Sequence, residues 1–280
     1  MGVWWSGTWR AADDASVDVA AELEELGYTA LWSSGGFQPG LSPHFGRLLA
    51  ATTRMMVLSG IVSIWSTTPE EIALAVADLD LRYPGRFVLG LGASHAPIVE
   101  NYTRPYSHMV EYLDVLDAGG PSVAGERRVL AALGPRMLKL AKERAAGAHP
   151  YFVPVEHTAR ARAELGPGPL LAPEVTVVLE KDPSKARELA RGFTTGYLTL
   201  PNYTNNLRMF GFGDEDLAGG GSDRLVDAIV AWGDVAAIAA RVRAHRDAGA
   251  DHVCVQVVSD GRGSFPLAGY RELAPALLTG

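Results

Sequence analysis

The 280-residue chain carries 25 basic against 32 acidic residues, a formal charge of −7 with no basic stripe to offset it, so it does not read as a nucleic-acid-binding protein. Its one cysteine, Cys254, excludes a disulfide within the chain, and the apolar run around it (252–258) reads as a packed core thiol of a reducing compartment. No Pro/Ser-rich linker or charge shift divides the sequence, so a single large domain over residues 1–280 is expected.

In chain order, MGVWW (1–5) opens as an aromatic strand. It lacks the charged start and long apolar stretch of a signal peptide, and no later run approaches membrane-spanning length, so a cytoplasmic protein without a membrane partner is expected. A helical pattern then hands over through Gly27 to a strand at 28–33. Residues 57–95 hold a complete strand, helix, strand unit between apolar runs at 56–64 and 87–91. Thr68 is placed to cap the helix, Pro69 opens it, Glu70 and Glu71 occupy its first turn, and Ile72, Ala75, Val76 and Leu79 recur at helical spacing before Pro84 and Gly85 stop it. A strand at 128–133 ends at Gly134, where Pro135 opens a helix containing Met137, Leu138, Leu140 and Ala141. Further strands are expected at 148–153, 174–180 and 251–258, with Gly147 and Gly249, like Gly27, supplying a left-handed turn after a helix. Eight strands alternating with helices predict an α/β protein, a (β/α)8 TIM barrel whose site lies at the carboxyl ends of the strands. About 70 residues separate the last two strands, so an insertion is expected there, at about 190–225. Its Asn- and Gly-rich part, 201–223, reads equally as a loop over a ligand or as surface decoration.

Only strand-end residues can converge on a barrel mouth. Trp4, Trp5, Trp32 and Trp65 fall at or near such ends and would suit a planar ring, with core packing as the alternative for each. Lysine is scarce, with only Lys181 near a strand end, which disfavours Schiff-base chemistry. The mouth offers chiefly His95, His149 and Asp260, without paired metal-ligand spacing, so no metal is expected. The helix start at Gly134 and Pro135 is a candidate anion site, where free amides and the helix dipole favour a phosphate. The run GLGAS (90–94) reads as either a tight turn or a second phosphate cradle.

Three segments, SGIVSIWSTTP (59–69), RYPGRFVLGLGAS (82–94) and LGPRMLKLAKERAAGAHPY (133–151), together with MGVWW and DAGADHVCVQV (247–257), resemble the luciferase-like monooxygenase superfamily, and within it the oxidoreductases that use the deazaflavin coenzyme F420. The resemblance covers nearly the whole chain. It implies a TIM barrel with an insertion after the seventh strand, a flavin-type ring leaning on a bulge in the third strand, and a phosphate near the fifth and sixth. Gly60 and Ile61 fall on that bulge, which in the family often holds a non-proline cis peptide, and Ser63 and Trp65 lie just beyond it. Ala93, Ser94 and His95 fall on a loop beside the ring, Gly134 and Pro135 on the phosphate loop, and His149 and Tyr151 on the following strand. In SSGGFQPG (33–40), Gly35, Gly36 and Gly40 replace the acidic, histidine and tryptophan residues of the family's sugar-phosphate dehydrogenases, so the resemblance does not extend to that activity.

The resulting expectation is an F420-dependent oxidoreductase acting on a small organic molecule. His95 is the candidate proton donor or acceptor. Residues 60, 61, 63, 93, 94, 134 and 135 would hold the coenzyme, and Trp4, Trp5, Trp32, Trp65, His149 and Tyr151 would line the substrate pocket. FMN is the alternative cofactor, and a non-catalytic flavin-binding protein or a cofactor-free barrel enzyme acting on a phosphorylated metabolite are the alternative functions. A homodimer is the one assembly left open.

Overall fold

The computed structural model describes residues 1–5, 13–34, 40–258 and 265–278. Its strands are β1 (Gly2–Trp5), β2 (Ala30–Ser33), β3 (Met56–Ser59), β4 (Val62–Ser63), β5 (Phe87–Gly92), β6 (Arg128–Leu130), β7 (Gly147–Ala148), β8 (Leu170–Leu171), β9 (Glu174–Val178), β10 (Val230–Trp232) and β11 (Cys254–Val257). The helices around them are α1 (Asp13–Glu25), α2 (Leu41–Ala50), α3 (Pro69–Arg82), α4 (Pro105–Ala118), α5 (Pro135–Arg144), α6 (Val155–Leu165), α7 (Pro183–Tyr197), α8 (Pro201–Arg208), α9 (Asp214–Leu217), α10 (Asp223–Ile229), α11 (Val235–Asp247) and α12 (Leu267–Leu277).

Every strand pairing is parallel, in the order β10-β9-β11-β1-β2-β3-β5-β6-β7-β8, with β4 also on β5. The ring closes because β8 and β9 are separated by only Ala172 and Pro173 and act as one bent strand. On one edge of that strand the amides of Ala172 and Glu174 donate to the carbonyls of Ala148 and Pro150, each at 2.9 Å, and on the other the Cys254 amide donates to Pro173 at 3.1 Å. The eight barrel positions are thus β1, β2, β3/β4, β5, β6, β7, β8/β9 and β11, a TIM barrel.

Local chemistry explains why these elements form where they do. Thr68 and Glu71 make a reciprocal capping box, the Glu71 amide donating to Thr68 Oγ1 at 3.3 Å and the Thr68 amide to Glu71 Oε2 at 3.0 Å, and α3 then buries Ile72, Ala73, Val76 and Leu79. Gly27 (φ +100°) and Gly249 (φ +104°) end α1 and α11 in the left-handed conformation, and the amide after each reaches back to Leu23 and His245. Gly147 does something else. It lies within β7, and a Cβ there would stand 1.9 Å from the Leu170 carbonyl oxygen, so the glycine permits close strand approach instead of capping a helix.

The expected strands differ from the observed ones mainly in the middle of the barrel. The run 56–64 is broken at Gly60 and Ile61, whose peptide is cis, into β3 and β4. The expected strands at 128–133 and 148–153 shrink to three and two residues, because the chain leaves the sheet early and Phe152 takes a positive φ of 58°. β8 and β10, of two and three residues, are too short to carry an alternating signal. Between β9 and β11 the chain forms α7 to α10, β10 and α11, and α7, α8 and α10 share a second apolar cluster with Phe152, separate from the main core between sheet and outer helices. Cys254 is fully buried inside the barrel beside Trp4 and Trp32. None of the described helices is long and apolar enough to cross a membrane.

Candidate functional site

The carboxyl ends of the strands open into a cavity of about 620 Å³, roofed on one side by α8. Its back wall is the bulge at Gly60 and Ile61, and three glycines let that wall form. A Cβ on Gly90 would stand 1.9 Å from the Ser59 carbonyl oxygen, one on Gly92 2.5 Å from Ile61 Cδ1, and one on Gly60 2.6 Å from Trp4 Nε1. Ser59 locks the arrangement, its hydroxyl donating to the Gly90 carbonyl at 2.9 Å and accepting from the Gly90 amide at 2.7 Å. The glycines of GLGAS therefore lie in β5, where they serve strand packing behind the bulge and do not form a tight turn.

The floor is aromatic. Trp4 points inward from β1, its ring 4.9 Å from that of Tyr151, and its Nε1–H is buried without a partner. His149 stacks on Trp32 at 4.1 Å between centroids, and its Nδ1 lies 2.7 Å from the Ala172 carbonyl. A carbonyl only accepts, so Nδ1 carries the hydrogen and Nε2 is a bare acceptor, again buried without a partner. Burial pushes the His149 pKa down to about 4, so the ring is neutral at pH 7. Tyr151 donates its hydroxyl to Gln256 Oε1 at 2.7 Å and stands 2.8 Å from the Tyr197 hydroxyl. Below this layer Glu174 is fully enclosed; desolvation lifts its carboxyl to about 8, against the bonds it accepts from Thr176 Oγ1 at 2.6 Å and from the Phe152 amide.

The rim is polar. Ser94 holds a positive φ of 57°, and its carbonyl accepts from Asn202 Nδ2 at 3.1 Å, tying α8 to the β5 loop. His95, next in sequence, is half-buried with its ring 4.9 Å from Tyr203 and no partner for Nδ1, and burial lowers its pKa below the ordinary 6.5. Across the cavity α5 begins at Gly134 with no side-chain cap and no acidic residue in its first turn. A Cβ on Gly134 would meet nothing within 4 Å. The first-turn amides of Arg136 and Met137 have no intrahelical acceptor, and the Arg136 guanidinium lies over the Tyr106 ring at 4.1 Å. An uncapped helix start of this kind has the free amides and dipole that favour an anion. On α8, Asn206 is 4% exposed, faces the cavity, and has no partner for either amide atom.

The luciferase-like monooxygenase family profile matches residues 10–252. The chain belongs to this family. A Mycobacterium tuberculosis protein named as a coenzyme F420-dependent oxidoreductase is 27% identical over 157 residues, 54% of this chain but only 41% of that protein's length. Among solved structures, an F420-dependent secondary alcohol dehydrogenase in complex with an F420-acetone adduct superposes with a TM-score of 0.74 at 16% identity, covering 99% of this chain and 98% of that one. The coenzyme F420-dependent tetrahydromethanopterin reductase from Methanopyrus kandleri gives 0.70 at 16% identity, with 99% and 98% covered. The oxygenating constituent of a 3,6-diketocamphane monooxygenase from Pseudomonas putida, in complex with FMN, gives 0.67 at 15% identity, with 98% and 96% covered. At these identities the three structures speak for the fold.

Within this luciferase-like barrel, Trp4, Gly60, Ile61, Ala93, Ser94, His95, Gly134, Pro135, His149 and Tyr151 all line one cavity, as the sequence places them. Four other expected residues do not. Trp5 follows Trp4 on the same strand and so faces outward, into the core against Phe265 at 4.4 Å. Trp32 points inward but lies beneath His149. Trp65 stands behind the wall, its Nε1 donating to the Ala93 carbonyl at 2.8 Å and its ring stacked on His108 at 4.3 Å. Ser63 is the buried last residue of β4, and its carbonyl accepts from the Ser66 amide. Asp260, Gly35 and Gly36 lie outside the described residues, and Gly40 precedes α2. Tyr102, Tyr106, Arg136, Tyr197, Tyr203 and Asn206 line the cavity without having been expected. For Tyr203 and Asn206 the Asn- and Gly-rich segment 201–223 was the one legible signal, and its first part forms helix α8 over the site; the other four carried none. Among the described residues no group of three or more His, Cys, Asp or Glu side chains is placed to hold a metal ion.

Proposed function

We propose that this chain is an oxidoreductase that binds coenzyme F420 in the barrel mouth and moves a hydride between it and a small organic substrate. One observation carries the reading: a single cavity joins a backbone bulge and an aromatic floor, suited to a planar ring, to an uncapped helix start with Arg136 beside it, suited to a phosphate. The residues fit such a group, since Trp4 Nε1, His149 Nε2 and the Asn206 amide are buried polar atoms without partners in the wall of that cavity. Gly60 and Ile61 would back the ring, Ala93 and Ser94 would flank it, and Gly134, Pro135 and the amides of Arg136 and Met137 would hold the phosphate.

When bound, the deazaflavin supplies a carbon that accepts or releases a hydride; the protein's part is orientation and a proton route. His95 would carry the proton. Its depressed pKa leaves it neutral at pH 7, with Nδ1 unengaged at the cavity rim. Tyr203 packs against its ring at 4.9 Å between centroids, with Tyr197 5.5 Å beyond.

Support comes from the resemblance of the quoted motifs to the F420 branch and from the name of the M. tuberculosis relative. FMN, also a three-ring cofactor bearing a phosphate, is the second reading, favoured by the FMN complex of the P. putida neighbour. Fluorescence titration of the purified protein with F420, FMN and mixtures of the two tests both. Preferential binding of F420, followed by its reduction or reoxidation with an added alcohol, ketone or enone, is the expected result. Preference for FMN in direct competition would replace the cofactor assignment, and binding of neither would remove it.

A further inference from the structure

Two partnerless groups on the cavity floor are complementary in kind. Trp4 Nε1–H can only donate, and His149 Nε2, with Nδ1–H pinned to the Ala172 carbonyl, can only accept. Both are held by rigid packing. Trp32, the register partner of Trp4 across β1 and β2, stacks on His149 at an interplanar angle of 18°, and Trp4 Nε1 sits 2.6 Å from where a Cβ of Gly60 would project. Trp32 Cβ lies 3.6 Å from that same point, so Trp4 and the His149 ring stacked on Trp32 both belong to the bulge side of the cavity. Trp4 is 7% and His149 2% exposed, so both groups have given up water without gaining a protein partner. That is an unfavourable state for the free protein, relieved by a ligand with a rigid edge carrying an acceptor beside a donor.

We propose that Trp4 and His149 read the imide edge of the tricyclic cofactor, Trp4 Nε1–H donating to a ring carbonyl and His149 Nε2 accepting from the adjacent ring N3–H. This rests on the reading that a deazaflavin, or failing that a flavin, occupies the cavity, because both carry that edge. It takes His149 out of the substrate pocket and makes it a cofactor-recognition residue. Substrate is left to the side of the cavity lined by His95, Tyr203 and Asn206.

The test is a binding measurement, independent of turnover. F420 and its N3-methyl derivative are titrated against the wild type and the His149→Phe and Trp4→Phe variants, with coenzyme fluorescence as the readout. Phe at 149 keeps a ring to stack on Trp32 but has no acceptor. In the wild type, N3-methylation should weaken binding by about tenfold or more, the loss expected when a buried acceptor is left unpaired. His149→Phe should weaken F420 by a similar factor and abolish the discrimination between the two ligands, and Trp4→Phe should weaken both ligands alike. Equal binding of the two ligands to the wild type, which requires no variant to fold, would overturn the proposal. So would an undiminished preference for F420 in His149→Phe, which would place the methyl clash elsewhere. If the wild type binds neither F420 nor FMN, the cofactor reading itself fails and this inference falls with it.

Discussion

His95 and His149 are both neutral histidines on one cavity, and their surroundings give them different work. His149 is wedged under the floor with one nitrogen committed to a carbonyl, so its remaining nitrogen is a fixed acceptor. His95 stands at the rim, where a proton can come and go. On the proposed function, His95→Gln should keep coenzyme affinity and lower turnover by roughly 10²- to 10⁴-fold, measured as single-turnover oxidation of bound reduced coenzyme; unchanged turnover would take His95 out of the chemistry. Glu174 is the residue the sequence hid, a lone carboxylate in the apolar run EVTVV. With its folded pKa raised from 4.5 to about 8, the unfolded chain releases a proton that the folded chain keeps between those values. The stability it contributes at low pH is therefore lost as pH rises through about 8. Glu174→Gln keeps the bond from Thr176 and removes the ionisation. The variant should match the wild type near pH 4 and exceed it by roughly 3–5 kcal/mol at pH 8, read from urea unfolding at the two pH values.

At the level of elements, glycine has two distinct uses around the site. Gly90 lets β5 pass the bulged third strand, where any side chain would collide with the Ser59 backbone at 1.9 Å. Gly134 opens α5 onto empty cavity, with no atom within 4 Å of a Cβ. Gly90→Ala should accordingly destabilise the protein by about 3 kcal/mol or more, since backbone cannot yield as a side chain does. Gly134→Leu should leave stability within about 1 kcal/mol and weaken coenzyme binding by filling the phosphate space. Thermal unfolding paired with coenzyme titration separates the two, and a Gly134→Leu variant of unchanged affinity would move the phosphate away from α5. Of these elements the sequence showed α3 and α5 clearly, through Pro69, Thr68, Pro135 and Gly134. It showed the interrupted third strand only through resemblance, because an apolar run looks the same whether or not its backbone turns in the middle.

At the scale of the molecule, two large packed clusters meet at the cavity over a smaller third one inside the barrel that holds Trp4 and Trp32. The main core lies between sheet and outer helices, and the second joins α7, α8 and α10 to Phe152 and Val178. α8 carries Asn206 into the site while Leu207, fully buried, anchors it to the second cluster. Leu207→Ala should cost about 2–5 kcal/mol of local stability. Hydrogen exchange should quicken across α7 to α10 with little change in β3 and β5, and coenzyme affinity should fall; uniform quickening over the barrel would show that the two clusters unfold as one.

What the sequence determined by itself was whatever is local or periodic: the alternation of strand and helix that makes a barrel, the helix starts, the glycine stops after α1 and α11, and the residues at strand ends. Those signals depend on backbone conformation and burial over a few neighbours; together with the family resemblance, which supplied Gly60, Ile61, Ala93, Ser94 and Tyr151, they named ten residues that line one cavity. Which tryptophan faces inward, how β8 and β9 join to close the ring, and that residues from 201 onward form a helix over the mouth were decided only by tertiary structure. Each depends on contacts between segments far apart in the chain. The facing of Trp4 and Trp5 follows from the register of β1 between β2 and β11. The partnerless nitrogens of Trp4 and His149 belong to the same class, because a missing hydrogen bond exists only once every neighbour is in place.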